Sequence, residues 1–212
     1  MEDETQQEGL WFDGREPALA AVILSGGASR RMGLPKALVS YQGAPFLEHL
    51  LSVTRHPAIA VRRVVLGPDA EIISKQIALA PEEVVLNKDW EQGQLSSIHA
   101  ALRSLPRGTR GMLLCPVDHP LVSDPLVNSL IVAFLESRAL VVLPTFEGRR
   151  GHPVIFSSAV YDELLEAPMD TGARAVVWAH SADVLELPTR EEGCVLNLND
   201  PQGLLKLKTD GT

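Results

Sequence analysis

The sequence predicts an α/β fold, a three-layer α/β/α sandwich on a mostly parallel sheet. Three observations predict it. From Ala18 onward, short β-branched or apolar runs alternate with longer amphipathic stretches, as expected of a parallel sheet with helices on its faces. The 212 residues, 45% hydrophobic, suffice for one sizeable core and are short for two enzymatic domains. The first apolar run also feeds directly into a glycine-rich turn, placing that turn at the carboxyl edge of a central strand.

In chain order, residues 1–17 carry Glu2, Asp3, Glu4, Glu8, Asp13 and Glu16 against the single Arg15. That is too little apolar surface to pack firmly, so an acidic, disordered tail is expected, with Trp11 and Phe12 able to dock it. A single domain then runs over 18–212. Strands are expected over 19–24, 61–66, 83–86, 112–115, 139–143, 154–156, 184–187 and 195–198, and helices over 45–54, 69–79, 95–105, 124–137, 158–166 and 171–180. Asp124 stands ahead of Pro125, a capping carboxylate before a proline at the first helical position, where no intrahelical N–H bond is lost. Ser158 is expected to cap the next helix. No repeat at solenoid spacing and no low-complexity linker divides the chain.

The formal net charge of −8 excludes a broad basic surface for nucleic acid, so any anion site must be local. Cys115 and Cys194 lie in apolar runs, not at a metal or redox spacing, and read as buried reduced thiols. No run approaches the ~20 apolar residues of a membrane span. The acidic N-terminus lacks the basic and apolar regions of a secretory signal, so a cytoplasmic protein without a membrane partner is expected.

The strand Ala20-Ala21-Val22-Ile23-Leu24 opens into Ser25-Gly26-Gly27-Ala28-Ser29, and Arg30, Arg31 and Lys36 follow within seven residues. Paired glycines let a backbone approach a ligand closely and turn several N–H groups on one anion. Arginine forks match phosphate oxygens, and lysine adds a movable charge, so a polyphosphate is favoured over a carboxylate. Taken alone, the loop is equally consistent with a glycine-rich turn carrying solvated basic residues. The glycines at 26, 27 and 33 do not fit G-x-G-x-x-G, and Gly33-Leu34-Pro35-Lys36 does not fit G-x-x-x-x-G-K-[ST]. Dinucleotide and P-loop versions are excluded.

The run from Leu24 to Leu38 resembles the L-x-x-G-x-S-x-R-M-G-x-P-K-x-L signature of MobA-like nucleotidyltransferases, which attach nucleotides to molybdopterin. The resemblance implies a Rossmann-like nucleotidyltransferase (nucleotide-diphospho-sugar transferase) fold. It also implies a nucleotide site formed by Leu24, Ser25, Gly26, Gly27, Ser29, Arg30, Arg31 and Lys36, with Arg31 and Lys36 acting on the reacting phosphates.

An apolar run ending in Cys115-Pro116-Val117-Asp118-His119-Pro120 brings a carboxylate to the same sheet edge. Magnesium takes hard oxygen ligands, often only one or two from protein, so Asp118 suits Mg²⁺; capping of the following turn is the bland alternative. The family's shared D-x-P implies that Asp118 binds the metal. Val195-Leu196-Asn197-Leu198-Asn199-Asp200-Pro201 resembles the family's D/N-x-D/N-T-P-E-D, which puts Asn199 on the second ligand position with Asp200 as the alternative. The chain departs from that pattern at Asp200, Gln202 and Gly203.

Asn87-Lys88-Asp89-Trp90-Glu91-Gln92-Gly93-Gln94-Leu95-Ser96-Ser97-Ile98 is similar to the N-x-x-W-x-x-G-M-x-x-S-L of molybdopterin cytidylyltransferases, with Gln94 in place of Met. Gly93, Ser96 and Ser97 are thereby implied in nucleotide binding, although helix capping would demand the same serines. Gly148-Arg149-Arg150-Gly151-His152-Pro153-Val154 resembles G-x-x-G-H-P-V and places His152 before an edge strand, facing the acceptor. Asp170-Thr171-Gly172-Ala173-Arg174 resembles G-D-x-G-A-R with Met169 for the first glycine, implying acceptor contacts from Asp170 and Arg174. His99 and His180 are read as helix-surface or core residues.

The implied reaction is attack by the terminal phosphate of molybdopterin on the α-phosphorus of a nucleoside triphosphate, with Mg²⁺ between them and pyrophosphate released. Leu24-Ser25-Gly26-Gly27 resembles the guanylyl branch's L-A-G-G, whereas Pro35-Lys36, the 90–97 segment and Gly151-His152-Pro153 resemble the cytidylyl branch. CTP is therefore preferred, with GTP the nearest alternative and a sugar phosphate or other small phosphorylated acceptor behind it. A monomer is expected, with a molybdoenzyme as recipient of the product. Two readings from other classes are an NAD(P)-dependent oxidoreductase and a non-catalytic carrier of the cofactor.

Overall fold

The computed structural model describes residues 19–28 and 33–198. The expected tail at 1–17, together with Ser29, Arg30, Arg31, Asn199 and Asp200, lies outside the described residues. Among the described residues ten strands occur: β1 (Leu19–Ser25), β2 (Ser40–Tyr41), β3 (Ala44–Pro45), β4 (Ile59–Leu66), β5 (Val84–Leu86), β6 (Gly111–Pro116), β7 (Val141–Phe146), β8 (Arg149–Arg150), β9 (Val154–Ser157) and β10 (Val184–Pro188). Six α-helices accompany them among those residues: α1 (Phe46–Val53), α2 (Ala70–Gln76), α3 (Gln94–Ser104), α4 (Asp124–Glu136), α5 (Tyr161–Glu166) and α6 (Arg174–Ala179).

The main sheet has the order β10-β7-β9-β6-β1-β4-β5, with β8 added to β7. β1 pairs in parallel with β4 on one side and β6 on the other, and all seven of its residues are buried. Burial on both faces explains why this strand reads as a continuous apolar run instead of an alternating one. Its side chains divide between two cores. Leu19 and Ile23 pack with Phe46 and Leu50 of α1, Ile73 of α2 and Leu130 of α4, while Val22 and Leu24 pack with Ile98 of α3, Leu164 of α5 and Val176 of α6. Helices therefore cover both faces, which makes the expected three layers.

Several expectations need correction. β9 is not an edge strand: it lies antiparallel between β6 and β7, with Leu114 opposite Val154 and Gly111 opposite Ser157. Its amino end therefore meets the carboxyl ends of the parallel strands. No strand forms over 195–198; a 3-10 turn at Glu192–Cys194 leads into irregular chain whose Leu198 N–H donates to Asp118 O at 2.8 Å. Apolarity there reflects burial of Val195 and Leu198 under a strap rather than a ladder.

Ser123, not Asp124, caps α4: its hydroxyl accepts from Leu126 N at 3.2 Å, and Asp124 is the first helical residue. Ser157, not Ser158, accepts from Ala159 N at 3.3 Å, ahead of a 3-10 turn that leads into α5. The last helix begins three residues later than expected because Gly172, at φ 67°, still belongs to a turn. Two hairpins escaped the sequence reading, β2–β3 and β7–β8. Their turn pairs Gln42-Gly43 and Glu147-Gly148 all have positive φ, and the nonglycine first residues hide the usual Asn-Gly signal.

Candidate active site

β1 delivers Ser25 to the carboxyl edge, and the backbone then turns at Gly26 and Gly27. A Cβ at Gly26 would lie 2.5 Å from Ser97 Oγ, while one at Gly27 meets nothing within 4 Å. Gly26 is thus required by close packing against α3, and Gly27 leaves open space at the turn. A Cβ on Gly67, just after β4, would run into the Gly26 carbonyl, so the β4–α2 connection presses the turn from behind.

Ser97 is itself fixed. Asn87, buried at the end of β5, donates through Nδ2 to Ser96 Oγ at 2.8 Å and Ser97 Oγ at 3.0 Å, and its Oδ1 accepts from Asp89 N at 2.9 Å. Ser96 Oγ donates onward to Gly93 O at 2.8 Å. Gly93 has φ 94°, a conformation that a side chain disfavours, and it turns the chain from the Trp90 segment into α3.

Asp118 lies two residues beyond β6, close to β1 because Val117 N donates to Leu24 O at 3.0 Å. Its Oδ1 faces His119 Nδ1 at 3.1 Å, and its Oδ2 accepts from Asn197 Nδ2 at 3.1 Å and lies 3.6 Å from Lys36 Nζ. Burial pushes this carboxyl up, but the hydrogen bond and charge of His119, the Lys36 ammonium and the Asn197 amide outweigh it and hold the group down at about 2. It is ionised at any physiological pH.

His152 approaches from the start of β9. Its N–H donates to Cys194 O at 2.8 Å, and a Cβ on the preceding Gly151 would lie 2.6 Å from that same oxygen, so only glycine allows the strap so near. The His119 and His152 rings are 4.6 Å apart between centroids, tilted by 56°. Burial and the neighbouring His119, opposed by Asp118, hold His152 down at about 4, so its imidazole is neutral. Its buried Nδ1 has no hydrogen-bond partner among the described residues.

A cavity of about 500 Å³ collects Leu24, Ser25, Gly26, Gly27, Lys36, Trp90, Gly93, Gln94, Ser97, Asp118, His119, His152, Arg174 and Asn197. A second, of about 600 Å³, adjoins it through the shared residues Gln94, His152 and Arg174 and adds Asp170. Among the expected site residues, Ser96 lies beneath the first cavity as a buried support rather than on its wall. Cys115 and Cys194 are buried free thiols, and burial raises both. His99 bonds Leu164 O at 2.9 Å and His180 bonds Glu163 at 2.7 Å, away from either cavity. No described helix is long and apolar enough to cross a membrane.

Residues 21–184, from within β1 to the first residue of β10, match the family described as the MobA-like NTP transferase domain. The chain belongs to this family. Among similar proteins, the nicotine blue oxidoreductase of Paenarthrobacter nicotinovorans is 28% identical over 165 residues, 74% of this chain and 80% of that protein. The molybdenum cofactor guanylyltransferase of Vibrio atlanticus is 28% identical over 191 residues, 89% of this chain and 94% of its own. The crystal structure of Rv0371c from Mycobacterium tuberculosis H37Rv superposes with a TM-score of 0.79 at 26% identity, covering 90% of this chain and 97% of that one.

For a MobA-like domain, the described donor set fits a hard divalent ion. Asp118 offers an ionised carboxylate at the cavity floor, and Asn197 adds an amide beside it. Magnesium needs no more than one or two protein oxygens when phosphates supply others. Among the described residues no cluster of three or more His, Cys, Asp and Glu forms a self-sufficient metal cage.

Four residues of this site were missed as contributors in their own right: Asn87, Trp90, His119 and Asn197. Asn87 and Trp90 were visible as fixed points of the 87–98 segment. His119 follows Asp118 directly in the sequence, and Asn197 lies two residues before the expected Asn199.

Proposed function

We propose that this member of the MobA-like family transfers GMP from GTP to the terminal phosphate of a molybdopterin-type acceptor and releases pyrophosphate. One observation carries the reading: the Gly26-Gly27 turn, Lys36 and ionised Asp118 converge on one cavity at the carboxyl edge, beside a second cavity large enough for an acceptor. Nucleotidyl transfer requires positioning and charge neutralisation more than a protein nucleophile.

Gly27 lets the triphosphate approach the backbone, and Lys36 neutralises charge that builds on the bridging oxygen as the bond from the α-phosphorus to the β-phosphate breaks. Arg31, Arg30 and Ser29 are assigned to the same phosphates on the strength of the signature alone. The acceptor phosphate forms the new P–O bond and is already ionised at neutral pH, so no general base is required. Neutral His152 stands where the two cavities join and orients the acceptor there, with Arg174 supplying a cation. Asp118 would hold magnesium, assisted by the amide of Asn197 or, on the strength of the signature alone, of Asn199; the ion would supply charge neutralisation for the reacting phosphates.

Guanine is preferred to cytosine for two reasons. The Vibrio relative is named a guanylyltransferase, and Gly26 is the guanylyl-like position of the loop, where an added methyl meets Ser97 Oγ. CTP, favoured by the sequence, is the second reading because Trp90, Gly93, Gln94 and Ser97 of the 90–97 segment and Gly151 and His152 of Gly151-His152-Pro153 line the cavities.

Pyrophosphate release across GTP, CTP, ATP and UTP, with molybdopterin and Mg²⁺, tests the proposal. Turnover is expected with GTP and a loss of about a hundredfold or more in Asp118→Asn. CTP-only turnover would install the second reading. No release with any triphosphate, together with saturable NADPH binding, would install the oxidoreductase reading that the Paenarthrobacter relative's name suggests.

A further inference from the structure

The second cavity contains a group that the transfer chemistry leaves unused. Trp178, on α6, is 59% exposed, and Met169, before the 170–172 turn, is 41% exposed; both line this cavity. Neither side chain is needed by the core, which α6 contacts through Val176 and Val177. The cavity floor is apolar, formed by buried Leu95, Ile98 and Val177. A large aromatic left open beside an apolar floor is what a binding site for a flat ring requires.

The polar groups are graded along the cavity. Arg174 and Trp178 are four residues apart on one helix and so share a face. Arg174 also lines the first cavity, whereas Trp178 belongs to the second alone. A cation therefore stands at the junction, where phosphate chemistry occurs, and a ring stands farther in. Asp170 Oδ1 accepts from Thr171 N at 2.8 Å, which pins the carboxylate and leaves Oδ2 to accept from a ligand.

We infer that Trp178 is the stacking platform for the acceptor's fused heterocycle, with Asp170 accepting from an amino-and-imino edge of that ring and Arg174 holding its phosphate end towards the first cavity. The inference rests on the transfer reading for its substrate, and it assigns a specificity determinant within the acceptor half. Recognised chemically, the ligand is a pterin: flat, carrying adjacent N–H donors, and phosphorylated at the far end.

The sequence has three tryptophans, so Trp11→Phe/Trp90→Phe leaves Trp178 as the sole one. Pterin-6-carboxylic acid, which has no phosphate to accept a nucleotidyl group, is expected to quench Trp178 fluorescence saturably in that variant, and GTP or CTP alone is not. In an otherwise native chain, Trp178→Ala is expected to weaken pterin-6-carboxylic acid binding by calorimetry about tenfold and to raise the KM for molybdopterin similarly, with the KM for the triphosphate unchanged. Quenching by the nucleotide instead of the pterin, or unchanged pterin affinity and acceptor KM in Trp178→Ala, would overturn the inference. Pterin binding at Trp178 without pyrophosphate release would sink the transfer reading and leave the ring site standing. Normal transfer to molybdopterin without Trp178 quenching would do the reverse.

Discussion

Asn197 Nδ2 donates to Asp118 Oδ2 at 3.1 Å, so the strap that follows β10 is tied to the one carboxylate that lines the first cavity among the described residues. Its backbone is tied there too, through Leu198 N and Asp118 O at 2.8 Å. Replacing the amide by a carboxylate, Asn197→Asp, places two like charges at hydrogen-bond distance. Without a divalent ion that pair repels, and with one it chelates. The magnesium concentration for half-maximal turnover is expected to fall about tenfold, and the midpoint of thermal unfolding to become magnesium-dependent. A midpoint indifferent to magnesium in Asn197→Asp would exclude Asp118 as a ligand.

Gly26→Ala sets a methyl 2.5 Å from Ser97 Oγ. The serine must rotate away and abandon its 3.0 Å bond from Asn87. Triphosphate KM is expected to rise about tenfold or more, with stability lowered by about 1 kcal/mol for the lost hydrogen bond. The double variant Gly26→Ala/Ser97→Ala relieves the clash and is expected to recover stability but not affinity, read by denaturant titration and by initial rates. Recovery of both would reduce Ser97 to a spacer.

The pH dependence of stability separates two groups. His152 titrates at about 4 in the fold against 6.5 when unfolded, so between these values the unfolded chain binds the proton and the folded chain does not. Stability is therefore intact above about pH 6.5 and falls as pH drops towards 4, by about 2 kcal/mol at pH 5. Asp118, held at about 2 against 3.8, contributes stability that is present above pH 3.8 and is lost only below it. Urea titrations at pH 7 and pH 5 are expected to diverge in the native chain and to converge in His152→Gln; parallel behaviour of the two proteins would refute the assignment.

Ser123 joins two elements. Its hydroxyl caps α4 and donates to Glu191 Oε1 at 2.6 Å, ahead of the strap that carries Asn197. Ser123→Ala is expected to cost about 1–2 kcal/mol of stability and to lower turnover by loosening that strap. Ser123→Asp restores the cap but sets a carboxylate against Glu191, so stability that returns without turnover would separate the two roles.

The parallel core was legible because β1 and β6 are buried on both faces and leave uninterrupted apolar runs, and β4 is buried over its last three residues, Val64, Val65 and Leu66. The clustering of Lys36, Asp118 and His152 was legible through short motifs, each fixed to a strand end. What was hidden depends on long-range geometry. The 195–198 segment is as apolar as a strand, and only its bond to Asp118 and that of the preceding Cys194 with His152 show that it is a strap. Asn87 looked like one position in a loop motif, since the hydroxyls it holds become its neighbours only after α3 docks. His119 carried no periodic signal, and its partner His152 is brought near by the fold.

β9 runs against its neighbours, so His152 enters from the beginning of a strand while Ser25 and Asp118 arrive from the ends of others. One reversed strand therefore brings the short β7–β8 hairpin and its linker to the wall between the two cavities with no crossover helix. Insertions or deletions in that hairpin can reshape the second cavity while β1, β4 and β6 keep their register. The two halves of the cleft are separable units of variation, and a lineage could exchange its acceptor without rebuilding the cradle for its nucleotide.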